Sequence, residues 1–205
     1  YMKGKVAQRW YYDQVGPALQ DAFDEFARKT GRRYGYIDPY RCEDAEYILL
    51  GLGSYMETAQ TTVDYLREEK GILAGCLNIC CFRPFPAEQI VEVIRNCKAI
   101  TVIERMDDPL STTGNHLTRE VKAALYDAST GQNGMEKIDS VPRVYHGAAG
   151  LGSRDVRPGD IGAIFQNMID GGTDFFVVGV HHGLALEVTE DPDLRPPGAF
   201  SMRGH

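Results

Sequence analysis

Apolar positions along this chain follow two alternating rhythms. Short apolar runs at residues 47–52, 72–81, 99–103, 143–146 and 175–180 have strand length. Between them lie amphipathic stretches of helical period. Met56, Ala59, Val63 and Leu66 form one stripe within 55–70, which Gly71 ends. Ile90, Val91, Ile94 and Cys97 mark a helix over 87–97, and Leu117, Val121, Ala124 and Leu125 one over 117–126. Pro158 suits a first helical position and opens a stretch with Ile161, Ile164, Phe165, Met168 and Ile169 inward. Five strands alternating with helices predict an α/β domain with a mostly parallel sheet covered on both faces. Its first βα step is Ala45 through Ala59, a strand, a turn at Gly51 and Gly53, and a helix start. Ser54, with Glu57 three residues on, predicts a capping box there.

Three regions depart from the rhythm. Residues 1–40 form an aromatic-rich arm, with Trp10, Tyr11 and Tyr12 before a helix over 17–29 and three tyrosines after it. One helix cannot build a core, so the arm either packs across the following domain or belongs to a preceding one. Residues 127–140 read as a surface loop. Residues 191–205, with Pro192, Pro196, Pro197 and Gly198, read as an extended linker after a domain at 41–190.

Composition narrows the function. The net charge of −7 argues against nucleic acid as a partner. No apolar run approaches the roughly 20 residues of a membrane span, and no secretory signal is visible. Five cysteines without framework spacing fit reduced thiols in the cytoplasm.

Few residues suggest chemistry. The turns Gly51-Leu-Gly-Ser54 and Gly150-Leu-Gly-Ser153 sit where backbone N–H groups meet anions. Gly51, Gly53, Ser54, Gly152 and Arg154 are therefore weak cofactor-binding candidates. A sharp βα connection needs glycine in any case, and neither turn has the full dinucleotide fingerprint. Arg83, Glu104, Arg105 and Arg154 fall at strand carboxyl ends, where open α/β sheets keep their crevice. Arg83 joins the weak cofactor-binding candidates, and structural salt bridging is the competing account. Cys76, Cys80 and Cys81 lie on one predicted buried strand as small hydrophobes. No C-x-x-C pair exists. His181 and His182 are adjacent and point apart on extended chain, and His116 and His146 are scattered, so no metal site is expected. No nucleophile-elbow motif marks a catalytic residue.

A series of motifs holds its order and spacing across residues 45–180. It comprises Gly51-Leu-Gly-Ser-Tyr-Met-Glu-Thr-Ala59, Val63-Asp-Tyr-Leu66, Arg83-Pro-Phe-Pro86, Val102-Ile-Glu-Arg105 with Asp108-Pro109, Gly150-Leu-Gly-Ser-Arg-Asp155, Ile164-Phe-Gln-Asn167 and Val178-Gly-Val180. Together these resemble the pyruvate:ferredoxin (flavodoxin) oxidoreductase, or 2-oxoacid:ferredoxin oxidoreductase, family. The part they match is its second domain. Residues 12–38, with Thr30-Gly-Arg-Arg-Tyr34, are similar to the end of the family's preceding thiamine-binding domain. The resemblance implies a three-layer α/β/α sandwich like the carboxyl-terminal domain of transketolase, with a five-stranded, mostly parallel sheet. It implies a whole enzyme that decarboxylates a 2-oxoacid on thiamine diphosphate with Mg²⁺. Electrons then pass through [4Fe–4S] clusters to ferredoxin or flavodoxin, and the acyl group to coenzyme A. Other domains or subunits of a homodimeric enzyme are the implied partners. The thiamine motif and cluster cysteines belong to those other domains, so no catalytic residue carries over and this chain alone is expected to be an inactive scaffold. Phe200–His205 looks like the entry to the family's gamma-type domain, and His181–Thr189 departs from its usual acidic stretch. The other reading is a stand-alone ligand-binding or subunit-interaction module of the same fold.

Overall fold

A computed structural model describes residues 1–180 and 185–186. The reading at His181 and His182, and the linker over 191–205, lie outside the described residues. The strands are β1 (Ile37–Tyr40), β2 (Tyr47–Gly51), β3 (Ala74–Ile79), β4 (Ala99–Glu104), β5 (Arg143–Ala148) and β6 (Phe175–Val177). They form one sheet in the order β1-β3-β2-β4-β5-β6. Only β1 runs antiparallel to its neighbour. The helices are α1 (Met2–Tyr12), α2 (Val15–Thr30), α3 (Tyr55–Lys70), α4 (Ala87–Ile94), α5 (His116–Thr130) and α6 (Pro158–Ile169).

Alternation along the strands divides the core in two. Leu49 of β2 faces α3 and α6, whereas Ile48 and Leu50 face α4 and α5. Likewise Ala99 and Ile103 of β4 point to the first face, and Ile100 and Val102 to the second. Burial on both faces is why these strands read as unbroken apolar runs rather than alternating ones. Three layers, helices on sheet on helices, result.

The sheet has six strands, not the five expected. The additional one is β1, which the sequence reading left inside the arm. Asp38 and Pro39 interrupt its apolar pattern, but an edge strand needs partners on one side only and tolerates proline. Pro39 sits opposite Leu77. Just before the strand, the Tyr36 carbonyl accepts both Cys80 and Cys81 N–H at 2.9 and 3.0 Å. The sheet therefore begins before the expected boundary at residue 41.

The arm contains two helices, not one. Met2, Val6 and Trp10 recur at i, i+4 and i+8 on α1, but Gly4 and the aromatic run mask the period in the sequence. Neither α1 nor α2 has a buried residue. The arm joins the α/β unit chiefly at Tyr36, whose hydroxyl donates to the Gly16 carbonyl at 2.6 Å and whose ring meets Phe23 edge-on.

The capping box at Ser54 does not form. Ser54 is itself in helical conformation (φ −64°, ψ −26°) and its side chain caps nothing. The first orphan N–H groups are taken by backbone instead, Met56 by the Gly53 carbonyl and Glu57 by that of Ser54. Ser54→Ala should therefore shift stability by less than about 0.5 kcal/mol, as an ordinary surface change does. Urea denaturation checks this, and a loss above about 1 kcal/mol would restore the serine as a cap.

The cysteines also differ from expectation. Cys76 is buried within β3, but the strand ends at Ile79, so Cys80 is exposed and Cys81 half-buried. The other buried thiols are Cys42 and Cys97. The stretch over 127–140 is not wholly loop, because α5 continues to Thr130 and Ile138 returns to the core at 6% exposure.

Candidate functional site

Strand order reverses between β2 and β4, since β3 lies on one side of β2 and β4 to β6 on the other. The crevice beyond the carboxyl ends at such a reversal is where open α/β sheets place ligands. Gly51 ends β2 and Glu104 ends β4, so the sequence does bring two sets of candidates to this point.

The first turn is filled by its own chain. Tyr55, at 6% exposure, lays its phenol against Gly51. Any Cβ at Gly51 would collide with that hydroxyl and come within 2.6 Å of the Met56 sulfur. The hydroxyl donates to the Ile103 carbonyl at 2.7 Å and accepts the Leu52 N–H at 3.1 Å. Burial pushes the Tyr55 phenol up to about 12, so it stays protonated and able to donate. Gly53, at φ +113°, needs glycine to make the turn.

Glu104 is a helix cap. Its buried carboxylate accepts the Leu117 N–H at 2.7 Å, the Thr118 N–H at 3.2 Å and the Thr118 hydroxyl at 2.8 Å. It stands at the positive end of α5, where a carboxylate is favoured. Asn115 holds the cap position by sequence, but its amide is committed elsewhere. It donates to the Met106 carbonyl at 2.8 Å and accepts the Asp108 N–H at 2.9 Å, closing the β4–α5 loop.

The second turn is built from left-handed residues, Gly150, Gly152 and Ser153, at φ +67°, +63° and +62°. Arg105 lies over Gly150, where a Cβ would meet its Nε at 2.8 Å. Arg154 donates to the Gly179 carbonyl at 2.8 Å and so ties the turn to the chain after β6. At the start of α6, Asp160 is 1% exposed and accepts the Arg157 N–H at 2.8 Å. That carboxylate already occupies the helix's anion-favouring end, and a ligand phosphate there would meet it.

Arg83 stands apart from Arg154. It pairs with Glu120 of α5, donates to the Phe82 carbonyl at 2.8 Å and lies 4.1 Å from the centre of the Phe82 ring. His116 is exposed beside Arg119, and His146 is buried against Phe175. Burial, and then Lys122, push the His146 imidazole below its ordinary value.

A cavity of about 460 Å³ opens at the other end of the sheet, lined by Cys42, Asp44, Glu46, Glu92 and Cys97 among others. Three of its four lining carboxylates are paired, Asp44 with Arg67 at 2.7 Å, Glu46 with Lys98 at 2.7 Å and Glu92 with Arg95 at 2.8 Å. Burial pushes Cys42, Cys76 and Cys97 each up to about 12. Cys42 donates to the Cys76 carbonyl at 3.3 Å and Cys97 to that of Ile94 at 3.0 Å. A [4Fe–4S] cluster needs four convergent thiolates, whereas Cys42 and Cys97 each bond a backbone carbonyl within the core. Among the described residues no group of three His, Cys, Asp or Glu is placed to hold a metal ion. Among them, too, no helix is long and apolar enough to cross a membrane.

Sequence reasoning missed Tyr55, Asn115 and Asp160. Asp160, three residues after Arg157, carried a local signal; Tyr55 carried none, because its role depends on β4.

A family model described as pyruvate:ferredoxin oxidoreductase core domain II matches residues 45–161, from the start of β2 into α6. The chain is 33% identical over 171 residues to pyruvate synthase subunit PorA of Thermotoga maritima, covering 83% of itself and 40% of that protein. It is 31% identical over 208 residues to pyruvate:ferredoxin oxidoreductase of Moorella thermoacetica, covering 99% of itself and 17% of that protein. The chain thus spans well under half the length of these relatives. A solved 2-oxoglutarate:ferredoxin oxidoreductase from Magnetococcus marinus aligns with 66% of the chain and 20% of its own, at 15% identity and a TM-score of 0.43.

Proposed function

The chain belongs to the pyruvate:ferredoxin oxidoreductase core domain II family, and from that premise we propose that it is a non-catalytic scaffold domain of a 2-oxoacid:ferredoxin oxidoreductase. The observation that carries the scaffold reading is at the strand ends. Each polar side chain the sequence marks there is committed within the fold: Glu104 to α5, Arg154 to Gly179, Arg83 to Glu120 and Arg105 over Gly150. The stand-alone alternative is not favoured, because the chain spans only 40% of a pyruvate synthase subunit and 17% of a pyruvate:ferredoxin oxidoreductase.

In this proposal the whole enzyme, a cytoplasmic homodimer, converts pyruvate or a related 2-oxoacid to acyl-coenzyme A. Thiamine diphosphate with Mg²⁺ and [4Fe–4S] clusters supply the chemistry when bound, on other domains, and ferredoxin or flavodoxin takes the electrons. This chain's residues perform no step on them. They hold the sheet, the two turns and the arm in place for neighbouring domains. Met2, Val6 and Trp10, on one stripe of α1, are 81, 72 and 63% exposed, an apolar face of the kind that marks a contact with another domain or subunit. The α1 face is therefore assigned to the rest of the oxidoreductase.

The test is made in the assembled enzyme. Arg83→Ala and Arg154→Ala should each leave kcat for 2-oxoacid-dependent viologen reduction within about twofold of wild type. Loss of a group acting in the chemistry costs roughly 10² or more. A loss of that size, with the variant still folded and assembled, would move the arginine from scaffold to active site.

A further inference from the structure

We infer that Tyr55 is the permanent internal occupant of this domain's ligand crevice, its phenol standing where open α/β domains of this topology hold a ligand's polar group. The inference goes beyond the family reading and rests on packing alone, whatever the whole enzyme's substrate.

β2 and β4 pair from Tyr47 opposite Ala99 to Leu50 opposite Val102, and there the ladder stops. Just beyond, two residues on along β2 and one along β4, the Leu52 N–H and the Ile103 C=O do not bond each other directly but meet at the Tyr55 hydroxyl, at the point of strand reversal. The Ile103 carbonyl is buried, and a buried backbone group without a partner is costly, whereas Leu52 is 44% exposed. In a ligand-binding domain water or ligand fills such a place. Here the Tyr55 hydroxyl does both jobs, accepting from Leu52 at 3.1 Å and donating to Ile103 at 2.7 Å. Two packing facts make the occupancy permanent. Gly51 leaves no Cβ to push the ring away, its place being taken by the Tyr55 hydroxyl and Cε2 and the Met56 sulfur. Tyr55 is also the first residue of α3 and packs in the same core as Met56, Ala59 and Val63. No substrate or cofactor group of the whole enzyme therefore enters this domain between β2 and β4.

The occupant can be removed and replaced. In the 205-residue chain, Tyr55→Ala should lower the thermal midpoint and leave an apolar cavity with one polar end. Phenol should raise that variant's midpoint by several degrees and leave wild type unmoved, as small aromatics fill engineered cavities. Benzene should bind the same cavity roughly fivefold more weakly, because it lacks the bridging hydroxyl. Leu66→Ala, a cavity lower on α3, is the control that phenol should not favour over benzene. Should Tyr55→Ala fail to fold, Tyr55→Phe keeps the ring and removes only the bridge, and its Leu52 amide should exchange hydrogen at least about fivefold faster than wild type. Phenol binding to wild type at Gly51–Tyr55 would overturn the inference. So would a Tyr55→Ala variant that phenol does not rescue, equal rescue by benzene, or unchanged Leu52 exchange in Tyr55→Phe.

Discussion

Glu104→Ala costs the isolated domain about 3–4 kcal/mol of stability and lowers its thermal midpoint by roughly 10 °C for a unit of this size. The carboxylate makes three hydrogen bonds at the first turn of α5 while only 8% exposed. Alanine leaves the Leu117 and Thr118 N–H groups without partners, and water reaches a buried helix end poorly. Asn115 cannot substitute, because its amide is committed to the β4–α5 loop at Met106 and Asp108. Glu104→Gln retains one carbonyl acceptor and should lose about half as much. Urea and thermal unfolding of the three proteins measure this. A loss below about 1 kcal/mol for alanine would mean that the cap is not needed, and would free Glu104 for a chemical role.

Charging the outer face of α1 weakens assembly. Met2, Val6 and Trp10 lie on one stripe of a helix that buries nothing within the described residues. An eleven-residue helix is marginal by itself in water, and its contact with α2 offers little support. The proposed neighbour supplies the missing apolar surface, with Trp10 as its anchor, since buried tryptophans dominate such contacts. Val6→Asp with Trp10→Asp should weaken co-purification with the remaining parts of the oxidoreductase by more than about 30-fold, the equivalent of one strong contact residue. The circular dichroism of the α/β unit should not change. Normal assembly of the double variant would assign the α1 face to solvent.

The parts of the fold legible in the sequence are those whose signal is periodic. β2 to β6 and α3 to α6 each announce themselves by an apolar run or a stripe, because each packs against the core. β1 gives no such signal: four residues, one paired side and a proline satisfy an edge without an apolar pattern. α1 hides because its stripe faces no core inside this chain. At the site, local rules misled at Ser54, where the serine and glutamate have the capping spacing but the backbone has already closed the turn. Tyr55 was illegible for another reason. Its hydroxyl bonds Ile103, 48 residues away, and nothing in the sequence says that β4 rather than β3 lies on that side of Gly51. Glu104 was visible as a polar residue ending a strand beside the crevice, but only the position of α5 makes it a cap.

The scaffold reading is tested most directly by asking the 205-residue chain to work alone. The purified chain is supplied anaerobically with iron and sulfide, thiamine diphosphate, Mg²⁺ and coenzyme A, then with pyruvate or 2-oxoglutarate and a viologen acceptor. The account predicts no visible iron–sulfur absorbance and no viologen reduction, with full activity only when the remaining domains are present. Turnover by the chain alone, or a cluster bound to its cysteines, would contradict it.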